Sequence, residues 1–378
     1  RSHLQRHRAK LLLRGLRKVI NNDMAKSDEN KLDIVLSDGT TVKAFAPVIV
    51  SASRSTDIPA FYADWFFNRL EAGYSIWTNP FNNTHSYVSY KRMRFVVFWS
   101  KNPYPLLKHL DKLQDNKIGC YVQFSLNDYE NEGLEKGVPP LNFRINTFKQ
   151  LVKKLGKGHV IWRFDPMILT NNISIDTLIE KTRNIGDQLK EYTEKMVFSF
   201  ADILSYRKVK SNLDKAGINY TEWTGSLMEE FASRLSVMNK ERNWNYTLST
   251  CGEKIDLSMY GIQHNKCIDD DLIIRLAYND AELMKYLNVE VHKRGEALFD
   301  IEPDDSVNIN EQYYAVKQRR RNKDGGQRSF CKCIESKDIG QYNTCPHLCE
   351  YCYANTSRES ALANYKKHKL NPLKESII

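Results

Sequence analysis

The chain has 378 residues, enough for one large α/β domain or a barrel with additions. Its 41% hydrophobic and 27% charged residues are those of a globular protein that buries a core, not of a disordered or fibrous chain. A net charge of +10 suits an anionic substrate or a polyanionic partner, so nucleic acid stays among the candidate partners, whereas no apolar run reaches the roughly 18 residues of a membrane span and no membrane partner is expected.

In chain order, residues 1–22 are basic and amphipathic, with Leu11, Leu12, Leu13, Leu16, Val19 and Ile20 among Arg and Lys, and read as a short peripheral helix. Residues 31–45 carry Asp38-Gly39 between two apolar runs, the pattern of a β-hairpin, so 1–45 is set apart as an N-terminal unit. From 46 to 253, strand-like runs at 48–51, 95–99, 119–124, 159–164, 196–200 and 244–249 alternate with helical spacing at 58–71, 105–116, 142–154, 175–192 and 221–240. Such repetition predicts a parallel sheet with right-handed crossovers, and about six units predict a full or partial (β/α) barrel.

Nearly every predicted strand ends in polar residues. Lys101, Gln123 with Ser125, Arg163, Ser199 with Asp202, and Cys251 follow the five runs from 95 onward or close them, and Arg54 follows the first. In barrel folds these ends line the active site. Capping of the following helix accounts for Ser55 or Asp57 but not for Lys101, Gln123 or Arg163, which are poor N-caps. A lined pocket is therefore expected, with Lys101, Arg163 and Arg54 offering cations to carboxylate or phosphate groups, and Gln123, Ser125, Ser199 and Asp202 offering hydrogen bonds to a bound cofactor or substrate.

Residues 254–330 are looser and more polar and read as an insertion of unassigned structure; the runs Asp269-Asp270-Asp271 and 302–305 read as solvated acidic surface, and Asp324-Gly325-Gly326 as a turn.

The eight cysteines are unevenly placed. Without a visible secretory signal, their clustering favours metal binding over a disulfide framework and a cytoplasmic location. Cys120, inside an apolar run, reads as core. Cys345, Cys349 and Cys352 have the spacing C-x3-C-x2-C in the segment 331–378; three thiolates in one tight loop can hold three irons of a [4Fe–4S] cluster and leave the fourth open. Zinc is the alternative, with His347 as a fourth ligand inside the loop. A second set, Cys251, Cys267, Cys331 and Cys333, offers four ligands for another [4Fe–4S] cluster, which would serve as an electron relay, or for zinc.

The loop, with Tyr351 just before its last cysteine, resembles the signature of the radical S-adenosylmethionine superfamily. Phe98-Trp99-Ser100-Lys101, the run from Tyr121 to Leu126, Arg163-Phe164-Asp165-Pro166 and Cys349-Glu350-Tyr351-Cys352-Tyr353 are similar to elements of the spore photoproduct lyase group. The run from Ser51 to Pro59, Asp338-Ile339-Gly340 and the run from Tyr351 to Asn355 resemble an uncharacterised domain family related to that group. The resemblance spans roughly residues 46–376 and implies a barrel of radical S-adenosylmethionine type with S-adenosylmethionine chelated to the open iron, Tyr351 near its adenine, and an electron donor such as flavodoxin or ferredoxin. Because the loop follows the other strands here, whereas in most of that superfamily it follows the first, the resemblance also implies a circularly permuted order, with residues 337–342 as the strand-like lead and 356–368 as the helix after the loop. Cys251, at a strand end, would then be placed to donate a hydrogen atom to a product radical. A lyase-like or hydrogen-abstracting enzyme is thus expected; the competing expectation is a non-catalytic iron–sulfur or zinc protein that binds nucleic acid or protein.

Overall fold

A computed structural model describes residues 30–80, 82–296, 302–318, 323–327 and 331–378; the expected N-terminal basic helix lies outside the described residues. The hairpin forms where its turn predicts, from β1 (Lys31–Val35) and β2 (Thr41–Phe45) in antiparallel register. After β3 (Ile49–Ala52) come β4 (Tyr74–Thr78) and β5 (His85–Ser89), which join the hairpin in a four-stranded sheet of order β1-β2-β5-β4.

The remaining predicted strands all form: β6 (Phe95–Ser100), β7 (Gly119–Ser125), β8 (Val160–Met167), β10 (Lys195–Phe200) and β12 (Thr247–Thr250), with β9 (Leu169–Thr170) and β11 (Tyr220–Thr221) pairing apart as a short ladder. Further on lie β13 (Gln263–His264), β14 (Val289–Lys293), β15 (Val307–Asn308), β16 (Tyr313–Lys317) and β17 (Lys337–Asp338). The main sheet has eight strands, all parallel, in the order β13-β12-β10-β8-β7-β6-β3-β17. It is a partial, barrel-like α/β sheet, and its last strand in sequence, β17, lies on the outer edge of its first, β3.

Alternation along these strands sorts the core. Val96, Phe98, Val122, Phe124, Trp162, Phe164 and Phe198 share one apolar cluster with the crossover helices. The helix Leu141–Leu155, for example, buries Leu141, Ile145, Phe148 and Leu151 at helical spacing. Val97, Tyr121, Ile161 and Val197 face the other way and pack on Ile268, Leu272, Ile273, Leu283 and Leu287. Period-two alternation therefore puts Trp99, Gln123, Ser125, Arg163, Asp165 and Ser199 on this second face, beyond its apolar half.

Three expectations change. The helix predicted over 58–71 is split into Ile58–Phe61 and Ala63–Ala72, because Tyr62 turns out of helical geometry (φ −131°) and its hydroxyl donates to the Thr344 carbonyl. The helix over 105–116 is a 3-10 segment, Tyr104–His109, followed by Leu110–Asp115. Asp269-Asp270-Asp271 is no solvated run: Asp269 caps the helix Asp270–Ala277, while Lys266 and Lys317 pair with both Asp270 and Asp271. Among the described residues of 254–330, that helix, the helix Ala281–Leu287 and the three-stranded sheet β14-β16-β15 form an ordered layer against the second face.

Candidate metal centre

The three-cysteine loop connects β17 to the helix Arg358–Leu370, which starts on its Ser357 N-cap (Ser360 N to Ser357 Oγ, 3.1 Å). Two-residue β17 is short for a strand and is held mainly by one carboxylate. Asp338 accepts hydrogen bonds from Ser51 Oγ (3.1 Å), Ser53 Oγ (2.7 Å), Ser55 Oγ (3.3 Å), Arg54 N (2.7 Å) and Gly340 N (2.9 Å), fastening the segment after β3 to the strand that leads into the loop. Residues 134–137 brace the loop from the other side: Glu350 N donates to Leu134 O (2.9 Å) and Gly137 N to His347 O (2.8 Å). The approach is so close that a Cβ on Gly137 would stand 2.4 Å from Pro346 O.

His347, the candidate fourth zinc ligand, is buried with both ring nitrogens taken. Nε2 lies 2.7 Å from Asp57 Oδ2 and Nδ1 3.2 Å from Gly137 O. Asp57 also caps its helix through Ala60 N (3.0 Å) and accepts from Ser100 Oγ and Lys101 N, both at 2.7 Å, so the cap residue joins β3, β6 and the loop. The loop therefore offers three thiols and no further free ligand of its own. Burial, with Asp57 and Cys352 nearby, pushes the Cys345 thiol up to about 12, and burial raises Cys349 against the pull of Lys101. Metal binding here would displace protons. Asn355 donates to Cys352 Sγ (3.4 Å) and Cys345 O (2.8 Å), while its buried Oδ1 has no hydrogen-bond partner among the described residues. Three thiols from one loop, without a fourth ligand, fit a [4Fe–4S] cluster with one open iron. They fit a closed zinc tetrahedron poorly.

Lys101 and Tyr351 are brought together, but behind the loop. Lys101 Nζ donates to Glu135 Oε1 (2.7 Å) and Tyr351 OH (2.9 Å); the Tyr351 hydroxyl also donates to Glu135, and Asn127 Nδ2 reaches Glu135 Oε1 (3.0 Å) and Tyr351 OH (3.1 Å). Tyr351 is buried, with Tyr129 edge-on at 6.2 Å, whereas Tyr353 is the half-exposed aromatic of the loop, its hydroxyl donating to Arg54 O (2.7 Å). In this arrangement Lys101 and Tyr351 position the loop; Tyr353 is the aromatic left open to a ligand.

Gln123, Arg163 and Ser199 meet on the second face of the sheet, at the second cysteine set. Arg163 donates through Nη1 to Gln123 Oε1 (3.2 Å) and Cys267 Sγ (3.3 Å) and pairs through Nη2 with Asp165, which also accepts from Ser199 Oγ. Gln123 Nε2 donates to Cys267 O (2.8 Å). Cys251 Sγ and Cys267 Sγ are 3.1 Å apart, Cys333 Sγ accepts from Cys267 N (3.2 Å), and Cys331 is hydrogen-bonded to Cys333, so the four thiols converge. Hydrogen bonds from Cys251 and Cys333, with Arg163 and Arg54 nearby, hold Cys267 well below the ordinary thiol range. Ser125 is partly exposed at the end of β7, and Asp202 is exposed just after β10, beside Glu222 and Glu253. Cys120 is core, where burial pushes its thiol up to about 12.

Sequence reasoning missed Glu135 and Asn127, which sit in a stretch without periodicity, and read Asp57 as no more than a cap. Asp165 and Asp338 lay inside the quoted motifs, where their acidity was the available signal.

Asp269, Asp270 and Asp271 are the one group of three ligating side chains, among the described residues, with all donor atoms within 4.8 Å of one another, and their lysine partners already neutralise them. No helix among the described residues is long and apolar enough to cross a membrane. No curated protein matches the chain. One family model does, over residues 49–354, a span that runs from β3 through both cysteine sets. The chain therefore belongs to the family described as Domain of unknown function (DUF1848).

Proposed function

We propose that this protein is a radical S-adenosylmethionine enzyme built on a circularly permuted partial barrel, with Cys345, Cys349 and Cys352 as the ligands of a [4Fe–4S] cluster. The observation that carries the reading is the loop's ligand count: three partly buried thiols, with both nitrogens of the neighbouring His347 taken by Asp57 and Gly137. The place of β17 beside β3 supports the permuted order, since it puts the strand that leads into the cysteine loop ahead of the others in space.

When bound, such a cluster supplies one electron to S-adenosylmethionine, drawn from a low-potential donor such as flavodoxin or ferredoxin, and splits the C5′–S bond to methionine and a 5′-deoxyadenosyl radical. The chain's own residues bind, orient and exclude water. Asp57 and His347 fix the loop, Lys101 and Glu135 support it from behind, and Tyr353 with the Arg54 backbone borders it on the open side. The row Gln123, Arg163, Asp165 and Ser199 supplies the polar wall of the adjoining face. A cytoplasmic setting and an anionic substrate, nucleic acid included, are consistent with the free thiols and the charge of +10.

Anaerobic reconstitution followed by a 5′-deoxyadenosine assay under dithionite tests the reading. The chain should cleave S-adenosylmethionine, and Cys349→Ala should abolish cleavage. An intact cluster that yields no 5′-deoxyadenosine would leave the protein a non-catalytic metalloprotein and sink the proposal.

A further inference from the structure

The second cysteine set is built from three separate stretches: Cys251 follows β12, Cys267 follows β13, and Cys331 and Cys333 lie upstream of β17. Four thiols brought together beside the polar row Gln123, Arg163, Asp165 and Ser199 serve no packing purpose, and N–H donors and cations are turned toward the sulfurs. Asn265 Nδ2 (3.2 Å) and Arg163 Nη1 (3.3 Å) point at Cys267 Sγ, and two backbone amides, of Cys267 (3.2 Å) and Ile268 (3.4 Å), point at Cys333 Sγ. Arg163 is 1% exposed. Arg54 stands beside Cys333 and Cys267, and its buried Nη2 has no hydrogen-bond partner among the described residues. The two guanidiniums also flank the Trp99 ring, at 5.5 Å for Arg54 and 5.2 Å for Arg163.

A disulfide explains little of this. It would consume two thiols, and its neutral sulfurs are poor acceptors for four N–H donors and two cations. Four thiols so close could ionise together only around a cation, and the flanking guanidiniums would offset the negative charge that four thiolates leave on a metal centre. The spacing chooses the metal. Zinc pairs usually have two to four residues between cysteines, whereas Cys331 and Cys333 have one. Four thiolates from a wide set of positions are the ordinary ligands of an iron–sulfur cluster, whose sulfurs accept N–H hydrogen bonds of the kind present here.

We propose that Cys251, Cys267, Cys331 and Cys333 hold a second, fully ligated [4Fe–4S] cluster, flanked by Arg54 and Arg163. It is independent of the three-cysteine loop in its ligands. With no open iron, it does not chelate S-adenosylmethionine.

The test uses the full chain carrying Cys345→Ala, Cys349→Ala and Cys352→Ala, reconstituted anaerobically with iron and sulfide. It should retain about four iron per chain and, once reduced, an electron paramagnetic resonance signal that S-adenosylmethionine does not alter. Adding Cys331→Ala and Cys333→Ala should remove both. A triple variant that takes up no iron, or that takes zinc in preference to iron, overturns the proposal while leaving the reading of the first loop untouched. Because cysteine loss can unfold a chain, Arg54→Gln supplies a second arm with all thiols in place. Losing a positive charge beside the cluster should make it harder to reduce, lowering the midpoint potential of the S-adenosylmethionine-insensitive signal; an unchanged potential contradicts the assignment.

Discussion

Glu135 is the residue on which the support of the cysteine loop turns. Burial favours its neutral form, but Lys101 and Arg144 outweigh burial and bring the carboxyl down to about 2. A carboxyl held below its unfolded value contributes stability above that value and loses it as pH falls toward the folded one. In the metal-free chain, urea unfolding should therefore show an acid-side loss of stability between about pH 4.5 and pH 2 that Glu135→Gln flattens. The same variant leaves Lys101 buried without its counter-charge, which should cost about 3–5 kcal/mol at neutral pH. A variant with wild-type stability and an unchanged acid slope would show the pair to be idle. At this scale the sequence was half legible. Lys101, Gln123 and Arg163 stood out because cations and amides at strand ends make poor caps. Their true partners did not: Glu135 sits in an aperiodic connection, and nothing in the local pattern says that its carboxylate returns to the end of β6.

Among the elements, β17 is the weakest by length and the most dependent on side chains. Two residues of ladder cannot hold an edge strand alone, and Asp338 makes up the difference with five accepted hydrogen bonds. Asp338→Ala should cost about 2 kcal/mol or more and open residues 331–357 to limited proteolysis, with little change in helix content. Gly137→Ala places a methyl group against Pro346 O, a backbone atom that cannot swing aside. Iron bound by the three-cysteine loop should fall in that variant, while far-ultraviolet dichroism stays that of the parent; full occupancy would mean that the brace at 134–137 is dispensable. The long strands were legible through their apolar runs, since a sheet buried on both faces needs them. β17 was legible only as the lead into a cysteine motif, because two residues carry no period. The break at Tyr62 escaped notice because its cause lies nearly three hundred residues away, at Thr344.

At the scale of the whole molecule, the cysteine sets tie the late part of the chain to a sheet that the earlier part largely completes. If both sets hold the proposed clusters, removing iron should loosen the structure unevenly. Hydrogen exchange of the chelated chain should quicken across 331–357, where the ligands lie, and remain slow in β6, β7, β8 and β10 at the centre of the sheet. Uniform quickening would instead make the metal a condition of folding. The charge of +10 gives a second test at this scale: binding to single- or double-stranded DNA, if nucleic acid is the substrate, should weaken steeply between 50 and 200 mM salt (roughly a thousandfold for six phosphate contacts). The parallel architecture could be foreseen from alternation alone. The layer formed by described residues of 254–330 could not, because polar loops between its short elements mask the apolar stripe Leu272, Ile273, Leu283 and Leu287 that packs on the sheet.

The pairing of β17 with β3 also sets a timetable. On the ribosome the outer edge of β3 emerges long before its partner, with about 285 residues still to be translated, or roughly 15 to 60 seconds at ordinary rates of synthesis. Throughout that interval the nascent sheet shows an unpaired edge, and the cysteines at 345, 349 and 352 do not yet exist. If the loop takes the proposed cluster, iron delivery to it is a late event, open only to a chain whose sheet is already waiting.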